Sequence, residues 1–240
     1  MDRLWLRVIA PFAAYRPMQA GSLRATLPVM TYSAAWGLVL NLAGIETRQG
    51  INQTTTGTNP DAPSLRITIG LPIKMPGISS LFQQGHGYPV GKSPKGEALK
   101  ALSHGAKYWI APVRREVLVG LDVVLGVEGD SEVMRRIRDG LLGCGDWPRY
   151  GLPFAGDNNL LFDRLDLLPS APLCRWYTPV DLNAKPRQGA TRLSRAIDRA
   201  DSSKTTCDLV APQSDSEKTA EPPLSAWAWT PREPVSSETP

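Results

Sequence analysis

The chain has 240 residues, and its 27 basic and 23 acidic side chains give a formal net charge of only +4. Apolar residues make up 42% of it, enough for a packed core, which excludes fibrous and wholly disordered proteins. With 21 Gly and 22 Pro residues, the chain is expected to contain many turns, and an all-helical bundle is excluded.

The sequence predicts a protein without membrane spans, cofactors or metals. Its apolar runs, such as Ala34 to Leu40, are too short to cross a bilayer. The N-terminus lacks the apolar stretch of a signal peptide, so a cytoplasmic location is expected. The three cysteines, Cys144, Cys174 and Cys207, are widely spaced, which predicts neither a disulfide framework nor a zinc site.

Strands and helices are predicted to alternate along the chain. A period of two from Leu4 to Ile9 indicates a strand that ends at Pro11, and Ser33 is the predicted N-cap of a deeply buried helix closing near Gly44. The remaining predicted elements are strands over 65–69 and 117–125, a helix capped by Ser131, and strands around 160–168 and 173–177.

This order predicts an α+β fold with a ferredoxin-like or RRM-like βαββαβ body over residues 1–185. The stretch 72–107 is too long for a tight turn and predicts an insertion into that body. Residues 186–240 are predicted to be a linker and a disordered acidic tail, because residues 200–240 hold 3 basic and 7 acidic side chains among many Ser, Thr and Pro and show little periodicity. The pair Trp227 and Trp229 stands out there, and its role stays open between docking and an inert tail.

Charge is distributed unevenly. Residues 1–120 carry 13 basic and 5 acidic side chains, whereas residues 121–240 carry 14 basic and 18 acidic ones, so a polyanion is expected to meet the first half. The insertion holds five lysines against the single acid Glu97 and also contains aromatic residues, a composition that suits nucleic-acid phosphates and stacked bases. A second basic segment is the loop before the first helix, where Thr31 and Ser33 offer hydroxyls at the helix start.

Two segments resemble the CRISPR-associated Cas-five family. The first consists of Leu6-Arg7-Val8-Ile9-Ala10-Pro11-Phe12-Ala13-Ala14-Tyr15-Arg16-Pro17, followed by Pro28-Val29-Met30-Thr31-Tyr32-Ser33-Ala34-Ala35-Trp36-Gly37-Leu38, and is similar to that family's N-terminal signature. The second, Arg149-Tyr150-Gly151-Leu152-Pro153-Phe154-Ala155-Gly156-Asp157-Asn158-Asn159, resembles the type I-B branch typified by a myxobacterial subunit. The resemblance covers about residues 3–180.

The resemblance implies a non-catalytic subunit of Cascade, the RNA-guided surveillance complex. Such a subunit has an RRM-like body and a β-hairpin thumb, holds the 5′ handle of the CRISPR RNA, and caps the filament of backbone subunits beside the large subunit. Target DNA near the PAM-proximal end is a further expected partner, with its sequence read by guide pairing. The expected RNA-binding residues are Arg7, Tyr15, Arg16, Gly21, Ser22, Arg24, Thr31, Ser33, Trp36, Lys74, Lys92, Lys95, Lys100, Lys107, Tyr108, Arg114, Arg149, Asn158 and Asn159.

One alternative is a metal-independent endoribonuclease that processes CRISPR repeat RNA. It needs a base, an acid and a cation around the scissile phosphate. Tyr15 or Tyr88, His86 or His104, and a lysine of the insertion are the candidates for these roles. No compact motif joins them, so the sequence favours the binding function. The turn at Asp157-Asn158-Asn159 has two readings as well, a local turn cap or a contact with nucleic acid.

Overall fold

A computed structural model describes residues 1–17, 23–50, 57–89, 108–149, 151–181, 183, 185–198 and 201–234. The fold is mixed but rich in strands, which is compatible with the predicted α+β class. The helices are α1 (Tyr32–Leu42) and α2 (Ser131–Leu142). The strands are β1 (Asp2–Ala13), β2 (Arg48–Gln49), β3 (Gly57–Thr58), β4 (Leu65–Leu71), β5 (Gly77–Pro89), β6 (Tyr108–Gly129), β7 (Arg164–Leu168), β8 (Arg175–Pro179), β9 (Thr191–Ala196), β10 (Thr206–Pro212) and β11 (Ala228–Thr230).

The centre of the fold is an antiparallel sheet in the order β7-β1-β6-β4. Along the chain, its strands and the two helices follow the predicted order of strand, helix, strand, strand, helix, strand. Both helices pack on the same face of this sheet. On β1, that face carries the alternating side chains of Leu4, Leu6, Val8 and Ala10, which belong to the hydrophobic core. A period-two strand therefore packs against the apolar side of helices, as the sequence pattern predicted.

The helix starts differ from the predicted ones by one or two residues. Thr31, not Ser33, caps α1, and its Oγ1 accepts a hydrogen bond from the amide of Ala34 at 3.1 Å. Asp130, not Ser131, caps α2, and its carboxylate accepts from the amide of Glu132 at 2.9 Å. In each case a nearby residue whose side-chain oxygen can also cap a helix occupies the N-cap position. Residue type alone could therefore not identify the N-cap residue.

A long hairpin projects from the sheet. The strand β6 has 22 residues; its C-terminal half lies between β1 and β4, and its N-terminal half pairs with β5 from Gly77 to Pro89. The predicted insertion 72–107 therefore begins with a short turn that leads into β5, and the predicted strand 117–125 starts earlier, at Tyr108. Residues 90–107, which join the two strands, lie outside the described residues.

The predicted disordered tail is wrong for residues 201–234. The sheet continues beyond β4 in the order β8-β10-β9, and β11 pairs with β4 through Ala228, Trp229 and Thr230. A domain boundary at residue 185 is also wrong, because β9 and β10 on its C-terminal side share the sheet with β1 and β4. The prediction relied on the polar composition of this segment, but a short strand can form with apolar residues only at alternate positions.

The C-terminal segment covers the sheet face opposite the helices. Trp227 lies against Trp5 with ring centroids 5.9 Å apart, and Trp5 lies 5.7 Å from Trp176. Trp5 and Val124, at the middle of this face, are buried. Within the part of the chain that the structure describes, no helix is long and apolar enough to cross a membrane.

Candidate nucleic-acid interface

The two sequence segments that carry the family resemblance meet in space. The amide of Ala14, just after β1, donates to the carbonyl of Ala155 at 2.9 Å, and the amide of Ala155 donates to Leu160 at 2.6 Å. Ala155 is fully buried against this junction. The loop from 151 to 161 is therefore fixed to the end of β1, next to the start of the basic loop.

Gly156 makes this contact possible. Its φ of +81° lies in the left-handed region, and a Cβ there would overlap the carbonyl oxygen of Ala14 and approach Cδ1 of Tyr15 to 2.7 Å. We expect Gly156→Ala to lower the free energy of unfolding by about 1–3 kcal/mol, from the strained φ and the forced separation of the two segments together.

A matched control for this prediction is Gly143→Ala. Gly143 has a similar φ of +74°, but nothing lies within 4 Å of its Cβ position. Urea unfolding of both variants separates the cost of backbone strain from the cost of steric overlap with Ala14 and Tyr15. Equal losses of unfolding free energy in the two variants would contradict close packing between the two motif segments.

An ion-pair cluster joins the loop, the hairpin and the second motif. Asp157 receives the guanidinium of Arg115 in a close ion pair and that of Arg16 at 3.5 Å. Arg115 also donates to Gln83 of β5 at 3.0 Å and is buried. Sequence reasoning missed Arg115, because a basic residue in a strand is normally solvated. The tandem Arg114-Arg115 was the signal available.

The carboxylate of Asp157 is also held by its own turn. Its Oδ1 accepts a hydrogen bond from the amide of Asn159 at 3.1 Å, so Asp157 caps this turn, one of the two roles considered for it. Burial alone would raise the pKa of Asp157, but the Asn159 amide and the Arg115 guanidinium outweigh it and hold that pKa below its ordinary value. The carboxylate therefore stays ionised and keeps Arg115 and Arg16 oriented.

Arg24 lies beside the same strand. The backbone around it pairs in parallel with β6: its amide donates to Arg114 at 2.9 Å, and the amide of Glu116 donates to its carbonyl at 2.9 Å. Arg24 and Arg114 are exposed, and the guanidinium of Arg114 donates to Ser80 at 3.2 Å. Among the described residues, no carboxylate pairs with either of them.

We call this region the hairpin-base surface. Its exposed members come from the basic loop, from β6 and from the turn at the end of the second motif, and they are Arg16, Arg24, Arg114, Asn158 and Asn159. Three guanidinium groups and two amide side chains can pair with phosphate oxygens and base edges. Because the charge of Asp157 is offset by that of the buried Arg115, the exposed arginines leave the surface with a net positive charge.

The hydroxyls at the start of α1 serve the fold. Thr31 Oγ1 lies 3.0 Å from Ser33 Oγ, which lies 2.8 Å from Ser194 Oγ of β9. Thr31 and Ser194 are buried, while Ser33 is half-buried. The predicted pair Thr31 and Ser33 is thus adjacent, with its hydroxyls engaged within the protein.

Two predicted contacts are corrected by burial. The side chain of Tyr15 is 3% exposed, and Trp36 is 6% exposed with its indole donating to the carbonyl of Pro63 at 2.8 Å. Neither ring offers a face on which a base could stack. Burial also raises the pKa of Tyr15.

Three other predicted residues lie away from the hairpin-base surface. Arg7 is within β1 on the face opposite the helices, where it donates to Asp122 at 2.9 and 2.7 Å. Arg149 donates to the carbonyl of Gly140, near the end of α2. Lys74 is exposed in the turn between β4 and β5, which pair with the other edge of β6.

Several predicted contacts fall outside the described residues. These are Gly21, Ser22, Lys92, Lys95, Lys100 and Lys107. Tyr108 is the first residue of β6. Within the described ranges, no group of three or more His, Cys, Asp or Glu side chains is arranged to hold a metal ion.

The fold and this surface define the class of protein as an α+β protein with a projecting hairpin and a basic surface at its base. No protein-family model matches the chain, and no curated protein matches its sequence. Among solved structures, a chain of a "CRISPR RNA-guided surveillance complex" matches with a TM-score of 0.53 and 16% identity over 88% of this chain and 90% of that chain. Another, "Crystal structure of Cas protein", matches with a TM-score of 0.49 and 12% identity over 88% and 94% of the two chains. The first likeness shows that the two proteins share a fold.

Proposed function

We propose that this chain is an RNA-binding subunit of a CRISPR effector complex and that its hairpin-base surface holds the 5′ handle of the CRISPR RNA. The observation that carries the proposal is the junction at Ala14 and Ala155, which brings both motif segments to the root of the hairpin. Arg16, Arg24 and Arg114 present their charges there. The fold shared with a chain of a surveillance complex supports the same context.

The strand order supports a ferredoxin-like body. Numbered by their place in a βαββαβ unit, β1, β4, β6 and β7 stand in the order 4-1-3-2 with antiparallel neighbours. Helices on one face complete that arrangement. In this proposal the hairpin of β5 and β6 is the thumb, and the chain belongs to the Cas-five family in its type I-B form.

The location of the bound RNA differs from that in an ordinary RRM. An RRM stacks bases on aromatic side chains of its open sheet face. Here the corresponding face is covered, since Trp227 packs on Trp5 and Val124 has no exposed surface. The exposed cations of the hairpin base are the alternative surface, so recognition is expected to use phosphates and unstacked bases held beside the thumb.

Partner subunits would contact the hairpin. Ile78 is 55% exposed and Phe82 is 76% exposed on β5, an unusual apolar surface for a projecting strand. We propose the adjacent backbone subunit as the protein that covers it, with the large subunit and the PAM-proximal target DNA nearby, in a cytoplasmic ribonucleoprotein. No catalytic step is proposed for this chain.

The test replaces Arg16 and Arg24 together with alanine in the co-expressed complex. We expect RNA co-purifying with the complex to fall about tenfold or more, since each lost charge-assisted contact costs about 1.5–3 kcal/mol. RNA yield per complex is measured by absorbance and gel after affinity purification.

The matched control is Arg135→Ala with Arg138→Ala. It removes the same two charges from α2, which packs against α1, β1 and β7 on the helix-covered side of the sheet. Unchanged RNA yield in the Arg16 and Arg24 variant, or an equal loss in the control, would overturn the assignment of the hairpin-base surface.

A further inference from the structure

An open cleft of about 1050 Å³ lies at the other edge of the hairpin root. Its walls are the turn between β4 and β5, the first residue of β8, the loop before β9, and the end of β10 with the segment that follows it. The charged lining residues are Lys74, Arg175, Arg187, Lys218, Asp215 and Glu217. Four cations against two carboxylates leave a net positive lining.

Two arginines build the walls of the cleft. Arg187 donates to Thr178 Oγ1 at 2.8 Å and to the carbonyl of Pro212 at 2.9 Å, so it joins the loop before β9 to strands β8 and β10. Arg175 donates to the carbonyl of Ile73 at 3.3 Å, which ties β8 to the turn that carries Lys74. The cleft is therefore held by side chains that also supply its charge.

Asp215 occupies the position that an incoming anion would take. Its Oδ1 lies 3.0 Å from Nζ of Lys218 and 3.6 Å from Nε of Arg175, and its side chain is 75% exposed. The Nε group of Arg175 is buried and has no hydrogen-bond acceptor among the described residues. An exposed carboxylate held between two cations is easily displaced, because solvent screens it.

We propose that this cleft binds the phosphodiester backbone of a single-stranded nucleic acid, separately from the hairpin-base surface. The net positive lining attracts a polyanion, and the volume exceeds the space that a single phosphate needs. None of the described lining residues is aromatic, so no side chain there can stack on a base. The cleft would therefore contact only the sugar-phosphate backbone of the strand. A binding strand would displace the carboxylate of Asp215 from Lys218.

The test uses the full chain carrying Arg16→Ala and Arg24→Ala, so that the hairpin-base arginines do not contribute. Fluorescein-labelled dT15 and rU15 are titrated by anisotropy at several salt concentrations. Lys74→Ala with Lys218→Ala is expected to weaken binding about fivefold to tenfold, and the slope of log K against log salt should fall by about 1.4. Asp215→Asn is expected to tighten binding about threefold.

The control is Glu132→Gln, which removes one carboxylate from an ion pair with Arg135 on α2 and should leave affinity unchanged within twofold. Equal tightening by Asp215→Asn and Glu132→Gln would mean that net charge alone acts, and the proposal would fail. It would fail too if poly-glutamate competed as well as dT15, or if affinities for dT15 and rU15 differed more than tenfold. Because handle RNA is not the probe, a negative result here leaves the hairpin-base test intact.

Discussion

Replacing Trp227 with alanine is expected to lower the free energy of unfolding of the chain by about 3–5 kcal/mol, among the largest effects of any single truncation. The indole is 9% exposed and packs on Trp5. The centroid of its ring also lies 5.0 Å from the guanidinium of Arg3 and 5.6 Å from that of Arg66. The variant loses this packing and two cation–π contacts at once.

The carboxylate of Glu128 fixes both guanidinium groups. It accepts from Arg3 at 2.7 Å and from Arg66 at 2.8 Å, which holds both cations beside the indole of Trp227. The C-terminal segment therefore packs on a surface built by β1, β4 and β6. Its loss should expose that face and loosen β11 from β4.

Trp229→Ala is the matched control. Trp229 belongs to the same segment, is half-buried, and has only Arg66 as a described ring partner, at 6.0 Å. We expect less than half the effect of Trp227→Ala. The measurement is urea unfolding followed by far-UV circular dichroism, and two equal small losses would contradict the docking of the tail on the sheet.

This segment also marks the limit of the sequence prediction. Trp227 and Trp229 were visible as large apolar residues in a polar stretch, but their partners lie more than 150 positions away in β1 and β4. Local composition carries no information on such distant partners, so the acidic, Ser-rich segment was predicted to be disordered. In contrast, the strand from Leu4 and the helix after Thr31 have strong local periodicity, and both were predicted within a few residues.

The candidate site was predicted unevenly for a related reason. The basic loop and the second motif were identified separately, and the fold brings Arg16 and Asp157 together. Residue type did not distinguish exposed from buried groups, so Tyr15 and Trp36 were placed at the surface although both are in the core. Lys74 is predicted to contact RNA together with the other lysines of the insertion, whereas the topology places it at the edge of β6 opposite the loop arginines.

Replacing Asp157 with asparagine is expected to cost about 3–5 kcal/mol of unfolding free energy at neutral pH, because it leaves Arg115 buried without its anion. The side chain of Arg115 is 6% exposed, and that of Asp157 is 10% exposed. Gln83 can still accept from Arg115, but an amide oxygen does not neutralise a guanidinium. The loop arginine Arg16 loses its anchor in the same variant.

Two measurements separate this ion pair from general damage to the loop. The double variant Arg115→Met with Asp157→Asn should recover most of the lost stability, since removing both charges leaves none buried and unpaired. If the double variant is as unstable as the sum of the single ones, the pair does not couple the second motif to the hairpin.

The pH dependence of stability provides an independent test of this ion pair. The pKa of Asp157 is lowered in the folded chain: burial would raise it, but the Asn159 amide and the Arg115 guanidinium together lower it by more. A carboxyl with a lowered folded pKa stabilises the fold fully above its unfolded pKa of about 3.9, and the contribution disappears as pH falls through the folded pKa. The stability gap between the unmodified chain and Asp157→Asn should therefore be constant from pH 5 to pH 7 and shrink below about pH 4. A gap that persists unchanged in acid would mean that the asparagine disturbs the turn itself, and Arg16 and Arg115 would then be positioned by the backbone rather than by the charge of Asp157.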